Sequence, residues 1–189
     1  MLMKILCYGD SNTYGYDPCS CFGGRYPAEG RWVDLLAGML GCETVNGGEN
    51  GREIPAYPWA LNRFAELLAA QKPLDLLIVM LGTNDLLQGN DPESVTARMA
   101  RFLKGIDFEK SGILLVTPPP MKRGAWVPTQ DLVDGSRALD EGYRNLAERL
   151  GIHHAGSPEL PMTFDGVHLT EEGHKGLARM LCETVQNFQ

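Results

Sequence analysis

The chain has 189 residues, 43% of them hydrophobic and 22% charged, with a formal net charge of −7. That length suits a single domain, residues 1–189, whose core buries roughly 70% of the unfolded chain's surface. The acidic balance argues against nucleic acid or an anionic membrane as partner, since both need clustered Lys and Arg, and Lys122-Arg123 is the only adjacent basic pair.

The longest apolar runs are strand-length, too short to cross a membrane. Met1-Leu2-Met3-Lys4 leads straight into one of them, without the long apolar region and cleavage site of a signal peptide, so the expected location is cytoplasmic. Five cysteines, an odd number, fit a reducing compartment better than a disulfide framework. Cys7 reads as buried in a strand. Cys19-Ser20-Cys21 has no second pair or neighbouring His to complete a ligand set, and reads as loop thiols. No metal or cofactor is expected.

Leu2 to Tyr8 has the apolar continuity of a buried parallel strand and stops at Gly9-Asp10-Ser11. The Gly, Pro and Cys-rich stretch Asp17 to Gly30 shows no periodicity and is expected to form one wall of a pocket. Arg31 to Leu40 places Trp32, Leu35, Leu36, Met39 and Leu40 at helical spacing, stopped by Gly41. Cys42 to Val45 reads as a short strand, followed by the turn-rich loop Asn46 to Glu53. Pro58 to Ala70 carries Leu61, Phe64, Leu67 and Leu68 on one helical face. Leu74 to Leu81 is the most strand-like run in the chain and ends at Gly82-Thr83-Asn84-Asp85.

Asp91-Pro92 opens a further helix, with Val95, Met99, Phe102, Leu103 and Ile106 on its buried side. Ile113 to Thr117 is a fourth strand, halted by three prolines. Met121 to Gln130, which contains Trp126, reads as a lid or an oligomer contact. An amphipathic helix over Asp131 to Leu150 leads into a weak last strand, Ile152 to Ala155. Asp165-Gly166-Val167-His168 follows, and Thr170 caps a closing helix that buries Leu177, Leu181, Val185 and Phe188. Strands alternating with helices predict an α/β fold: a three-layer α/β/α sandwich around a parallel sheet of about five strands, of flavodoxin-like type.

In such a sheet the segments that follow the strands share one edge. Ser11, the loop containing Gly51, Asn84 and Asp165-x-x-His168 therefore meet there. These are the parts that acyl transfer requires. A serine hydroxyl needs a base during attack, and neutral His suits that task near pH 7. The imidazole needs a partner on its other nitrogen, and Asp165 is close enough to serve. The tetrahedral intermediate needs N–H donors for its oxyanion; the backbone of Ser11 and Gly51 and the amide of Asn84 are the candidates. Asp10 reads as a loop-backbone partner, Asp85 as a loop or cap residue, and His153, His154 and His174 as structural or solvated.

Gly9-Asp10-Ser11, Gly51, Gly82-Thr83-Asn84-Asp85 and Asp165-Gly166-Val167-His168 resemble, in order and spacing, the four sequence blocks of the SGNH (GDSL) hydrolases. Ile5 to Ser11, Arg31-Trp32, Leu74 to Leu76, Met80 to Asp85 and Pro118 to Pro120 are similar to the arylesterase/acyltransferase branch. The resemblance implies hydrolysis of short-chain carboxylic esters through an acyl-serine, with acyl transfer to alcohols in some members, and often a homo-oligomer. Asn12 stands where the family's short name expects Leu, and is expected to shape the substrate pocket. Trp126 either stacks on substrate or seals a subunit contact. Two other readings remain: a carbohydrate O-deacetylase on the same scaffold, and a non-catalytic flavodoxin-like module holding an anion at helix amino termini.

Overall fold

The computed structural model describes residues 2–20 and 24–188; Cys21 of the Cys19-Ser20-Cys21 pair lies outside them. Five strands, β1 (Lys4–Gly9), β2 (Glu43–Gly48), β3 (Leu76–Met80), β4 (Ile113–Val116) and β5 (His153–Ala155), pair in parallel in the order β2-β1-β3-β4-β5. This is the flavodoxin-like order, whose switch point lies between β1 and β3.

The apolar continuity of the strands has a direct cause, because both faces of the sheet are covered. Alternation along β3 sends Leu77 and Val79 into one core and Leu76, Ile78 and Met80 into the other. β1 divides in the same way, with Leu6 and Tyr8 on one side and Ile5 and Cys7 on the other. The first core is closed by α3 (Pro58–Gln71), α5 (Pro92–Lys104) and α6 (Gln130–Leu150), the second by α2 (Trp32–Leu40) and α7 (Glu171–Gln186). The sandwich therefore has the three layers that the element order predicts.

Helix limits follow from local chemistry. The side chains of Asp91, Thr129 and Thr170 accept from backbone N–H groups at the starts of α5, α6 and α7, and Gly41 and Gly151 close α2 and α6 in the left-handed conformation. Two of the expected buried faces are looser than their periodicity suggests: Met39 on α2 and Leu61 on α3 are exposed. Phe188 lies beyond α7, half-buried, where it stacks on His153.

Two one-turn helices escaped the sequence reading, α1 (Ser11–Tyr14) and α4 (Thr83–Leu87). Each follows a central strand directly. Register pairs Gly9 with Gly48 on one side and with Met80 on the other, so β1, β2 and β3 end level. The polar segments after them emerge along one edge.

Candidate active site

Ser11 is the first residue of α1, with Asp10 as its N-cap. The Asp10 carboxylate accepts from Asn12 N at 2.9 Å, the loop-backbone role expected of it. Burial pushes the Asp10 carboxyl up to about 7, although the Asn12 N–H and the Arg52 guanidinium oppose the rise. The Ser11 N–H, at the start of the helix, has no intrahelical acceptor and is free to meet a ligand.

His168 Nε2 lies 2.9 Å from Ser11 Oγ, and His168 Nδ1 lies 2.7 Å from Asp165 Oδ2. An ionised carboxylate only accepts, so Nδ1 carries the proton and Nε2 accepts from the serine hydroxyl. All three side chains are buried. The second Asp165 oxygen accepts from Val167 N, His168 N and Thr163 Oγ1 at 2.8–2.9 Å. Burial raises the Asp165 carboxyl, but the hydrogen bonds from His168 and Val167 outweigh it and hold the group below its ordinary value. The carboxylate thus stays charged beside the imidazole, as a base-orienting partner must.

Gly51 and Asn84 reach this edge through Arg52. The Arg52 guanidinium donates to the carbonyls of Gly9, at 2.7 Å, and Gly47, and to Glu49, with its plane over the Tyr8 ring. The Arg52 carbonyl in turn accepts from Asn84 Nδ2 at 3.0 Å, so one residue, through its guanidinium and its backbone, joins the end of β1, the Gly51 loop and the start of α4. Sequence reasoning passed over Arg52. The space around Gly51 is open, and a Cβ there would meet nothing within 4 Å; what calls for glycine is its φ of +73°. Beside this loop opens a cavity of about 220 Å³, bordered by Gly51, Arg52, Tyr57, Trp59 and Arg63 but not by Ser11 or His168.

Asn12, which the sequence places at the substrate pocket, turns its side chain to the backbone on either side of His168. Its carboxamide is buried, donating to Val167 O at 3.0 Å and accepting from Leu169 N at 2.9 Å. Trp126 does border the site, edge-on to the His168 imidazole at 5.2 Å between centroids and half exposed. Tyr16, which sequence reasoning missed, stands against the same imidazole at 4.8 Å.

The Met121–Gln130 segment is stitched to the His168 loop rather than hinged over it. Lys122 N donates to Gly166 O, Ala125 N to Phe164 O and Trp126 N to Asp165 O. Asp85 is wholly buried, accepting from Ile54 N and paired with Arg98. His174 is buried with Nδ1 facing Trp32 N, and burial pushes its pKa down to about 3. Among the described residues no group of three or more His, Cys, Asp or Glu side chains could hold a metal ion.

Comparison with known proteins agrees with this fold. A solved putative arylesterase from Agrobacterium tumefaciens is 29% identical, superimposes with a TM-score of 0.85, and each chain covers 100% of the other. Est24, a carbohydrate acetylesterase from Sinorhizobium meliloti, is 25% identical with a TM-score of 0.82, over 99% of this chain and 100% of that one. The isoamyl acetate-hydrolyzing esterase 1 homolog of Rattus norvegicus is 26% identical over 136 residues, 65% of this chain; the match spans 50% of that longer protein. The family model described as GDSL-like Lipase/Acylhydrolase matches residues 7–175, and the chain belongs to that family of ester hydrolases.

Proposed function

We propose that the chain is a serine esterase that cleaves short-chain carboxylic esters through an acyl-Ser11 intermediate. The observation that carries this reading is the unbroken relay from Ser11 Oγ to His168 Nε2 and from His168 Nδ1 to Asp165 Oδ2, at 2.9 and 2.7 Å. Ser11 Oγ attacks the ester carbonyl while His168 Nε2 takes its proton, and the imidazolium formed is stabilised by Asp165. The oxyanion is met by the N–H groups of Ser11 and Gly51 and by the Asn84 N–H not engaged with Arg52. His168 then protonates the departing alkoxide, and the same steps with water release the acid. An alcohol in place of water receives the acyl group instead. The Tyr16 and Trp126 rings that crowd His168 favour a small acyl group.

The similarity to Est24 favours acetylated sugars as a second substrate class. Measuring kcat/KM on aryl acetates, alkyl acetates and acetylated sugars divides the two, since the physiological class should lead by more than tenfold. Ser11→Ala should abolish turnover on every ester while the protein melts as the parent does. Asn84→Ala should lower kcat by roughly 10²–10³. A Ser11→Ala variant with near-normal turnover would refute the proposal.

A further inference from the structure

Asn12 follows the nucleophile directly, yet its side chain looks away from the site. A buried carboxamide must find partners for both its donor and its acceptor. It finds them on Val167 O, at 3.0 Å, and Leu169 N, at 2.9 Å, the residues on either side of His168. The amide therefore pairs with the backbone around His168 as the peptide group of a neighbouring strand would. These bonds join positions 155 and 157 residues apart in sequence. At its own end Asn12 is equally fixed, since its N–H donates to Asp10 Oδ1 and its carbonyl accepts from Trp32 Nε1 at 3.0 Å.

The loop carrying His168 is shaped from within by Asp165 Oδ1 and by the bond from Thr163 N to His168 O. Neither of these fixes where the loop stands relative to the turn carrying Ser11. We infer that Asn12 is a positioning residue, a two-point clamp that sets the Ser11–His168 distance by holding the backbone on both sides of the imidazole. The inference rests on the esterase reading proposed above. A displacement of about 1 Å between nucleophile and base costs on the order of 10²-fold in rate, whereas ground-state binding of the ester does not pass through this clamp. The loss should therefore fall on kcat and spare KM.

Asn12→Leu fills the volume but removes both bonds. Asn12→Asp keeps an acceptor for Leu169 N–H and, when ionised, sets a carboxylate against Val167 O; when protonated it regains the missing donor. Steady-state kinetics on an aryl acetate should show kcat reduced about 10- to 100-fold in Asn12→Leu, with KM within about twofold of the parent. The rate of Ser11 labelling by a fluorophosphonate should fall by the same factor. For Asn12→Asp, the ratio of variant to parent kcat should climb as pH falls from 8 to 5, a recovery that a purely structural role would not produce in folded protein. Folded variants with kcat within threefold of the parent, or a flat ratio for Asn12→Asp, overturn the clamp and leave the esterase intact. Failure of both variants to fold also overturns it, because Asn12 would then determine folding rather than position. A parent that neither turns over esters nor labels at Ser11 overturns both readings.

Discussion

Replacing Asp165 by Asn changes one atom and tests the relay at its least visible point. In the parent, Oδ1 accepts from Thr163 Oγ1, Val167 N and His168 N, and Oδ2 accepts from His168 Nδ1. The new amide has two orientations. With its oxygen toward His168, its NH2 would oppose two buried backbone N–H groups and leave both unpaired, at about 1–3 kcal/mol each. With its oxygen in the Oδ1 position, those bonds survive and the NH2 faces the imidazole. The second orientation wins by about 2–6 kcal/mol, which exceeds a tenfold population ratio. His168 must then carry its proton on Nε2 and present N–H, not a lone pair, to Ser11. A base in the wrong tautomer costs about 10³–10⁴ in kcat, or about 4–5.5 kcal/mol at 1.36 kcal/mol per tenfold. Because the loop's hydrogen bonds persist, the melting temperature should move by only a few degrees. Hydrolysis of an aryl acetate at pH 7.5, beside a calorimetric melt, reads both quantities. A kcat within tenfold of the parent would refute the assigned roles.

Three further outcomes follow from local geometry and charge. A Cβ on Gly124 would lie 2.5 Å from the Asp165 carbonyl carbon and the Gly166 nitrogen, so Gly124→Ala should lower both stability, by about 1–3 kcal/mol, and kcat. Gly38→Ala, inside α2 with nothing within 4 Å, should instead stabilise by about 0.5–1 kcal/mol and leave kcat alone; urea unfolding with parallel assays separates the pair. Buried Asp10, raised to about 7, contributes stability that is full below pH 3.8 and lost as pH rises through 7. Buried His174, lowered to about 3, contributes stability that is full above pH 6.5 and lost as pH falls. Between about pH 4 and 6.5 the two slopes cancel. Asp10→Asn removes the first, so its stability relative to the parent should rise by about 1.4 kcal/mol per pH unit across that window. A constant difference in urea unfolding from pH 4.5 to 6.5 would count against the Asp10 shift.

The three inner strands were legible because both sheet faces are covered, which turns burial into unbroken apolar runs such as Leu76 to Met80; the edge strand β2 instead runs on through Asn46-Gly47-Gly48, which reads from sequence as loop. Polar clusters placed after those runs made Ser11, Asp165 and His168 readable as neighbours. The one-turn helices α1 and α4 were not readable, because four or five residues cannot display a 3.6 period; Asp10 as cap and Gly15 at its end were the only signals. The bonds of Asn12 were not readable because its partners lie more than 150 residues away and no local pattern announces them. Arg52 was passed over for a related reason. Its three backbone and side-chain partners come from β1, β2 and its own loop, and only the level strand ends bring them within reach. Tyr16 lies between α1 and the aperiodic stretch that opens at Asp17, where a ring against His168 leaves no trace in spacing.

Treatment with a fluorophosphonate followed by peptide mapping tests the central claim most directly, since phosphonylation needs both the hydroxyl and the base that activates it. A single adduct on Ser11 is expected, with labelling abolished in Ser11→Ala and slowed by about a hundredfold or more in His168→Ala. An unlabelled parent, an adduct on another residue, or labelling of His168→Ala at the parental rate would contradict it.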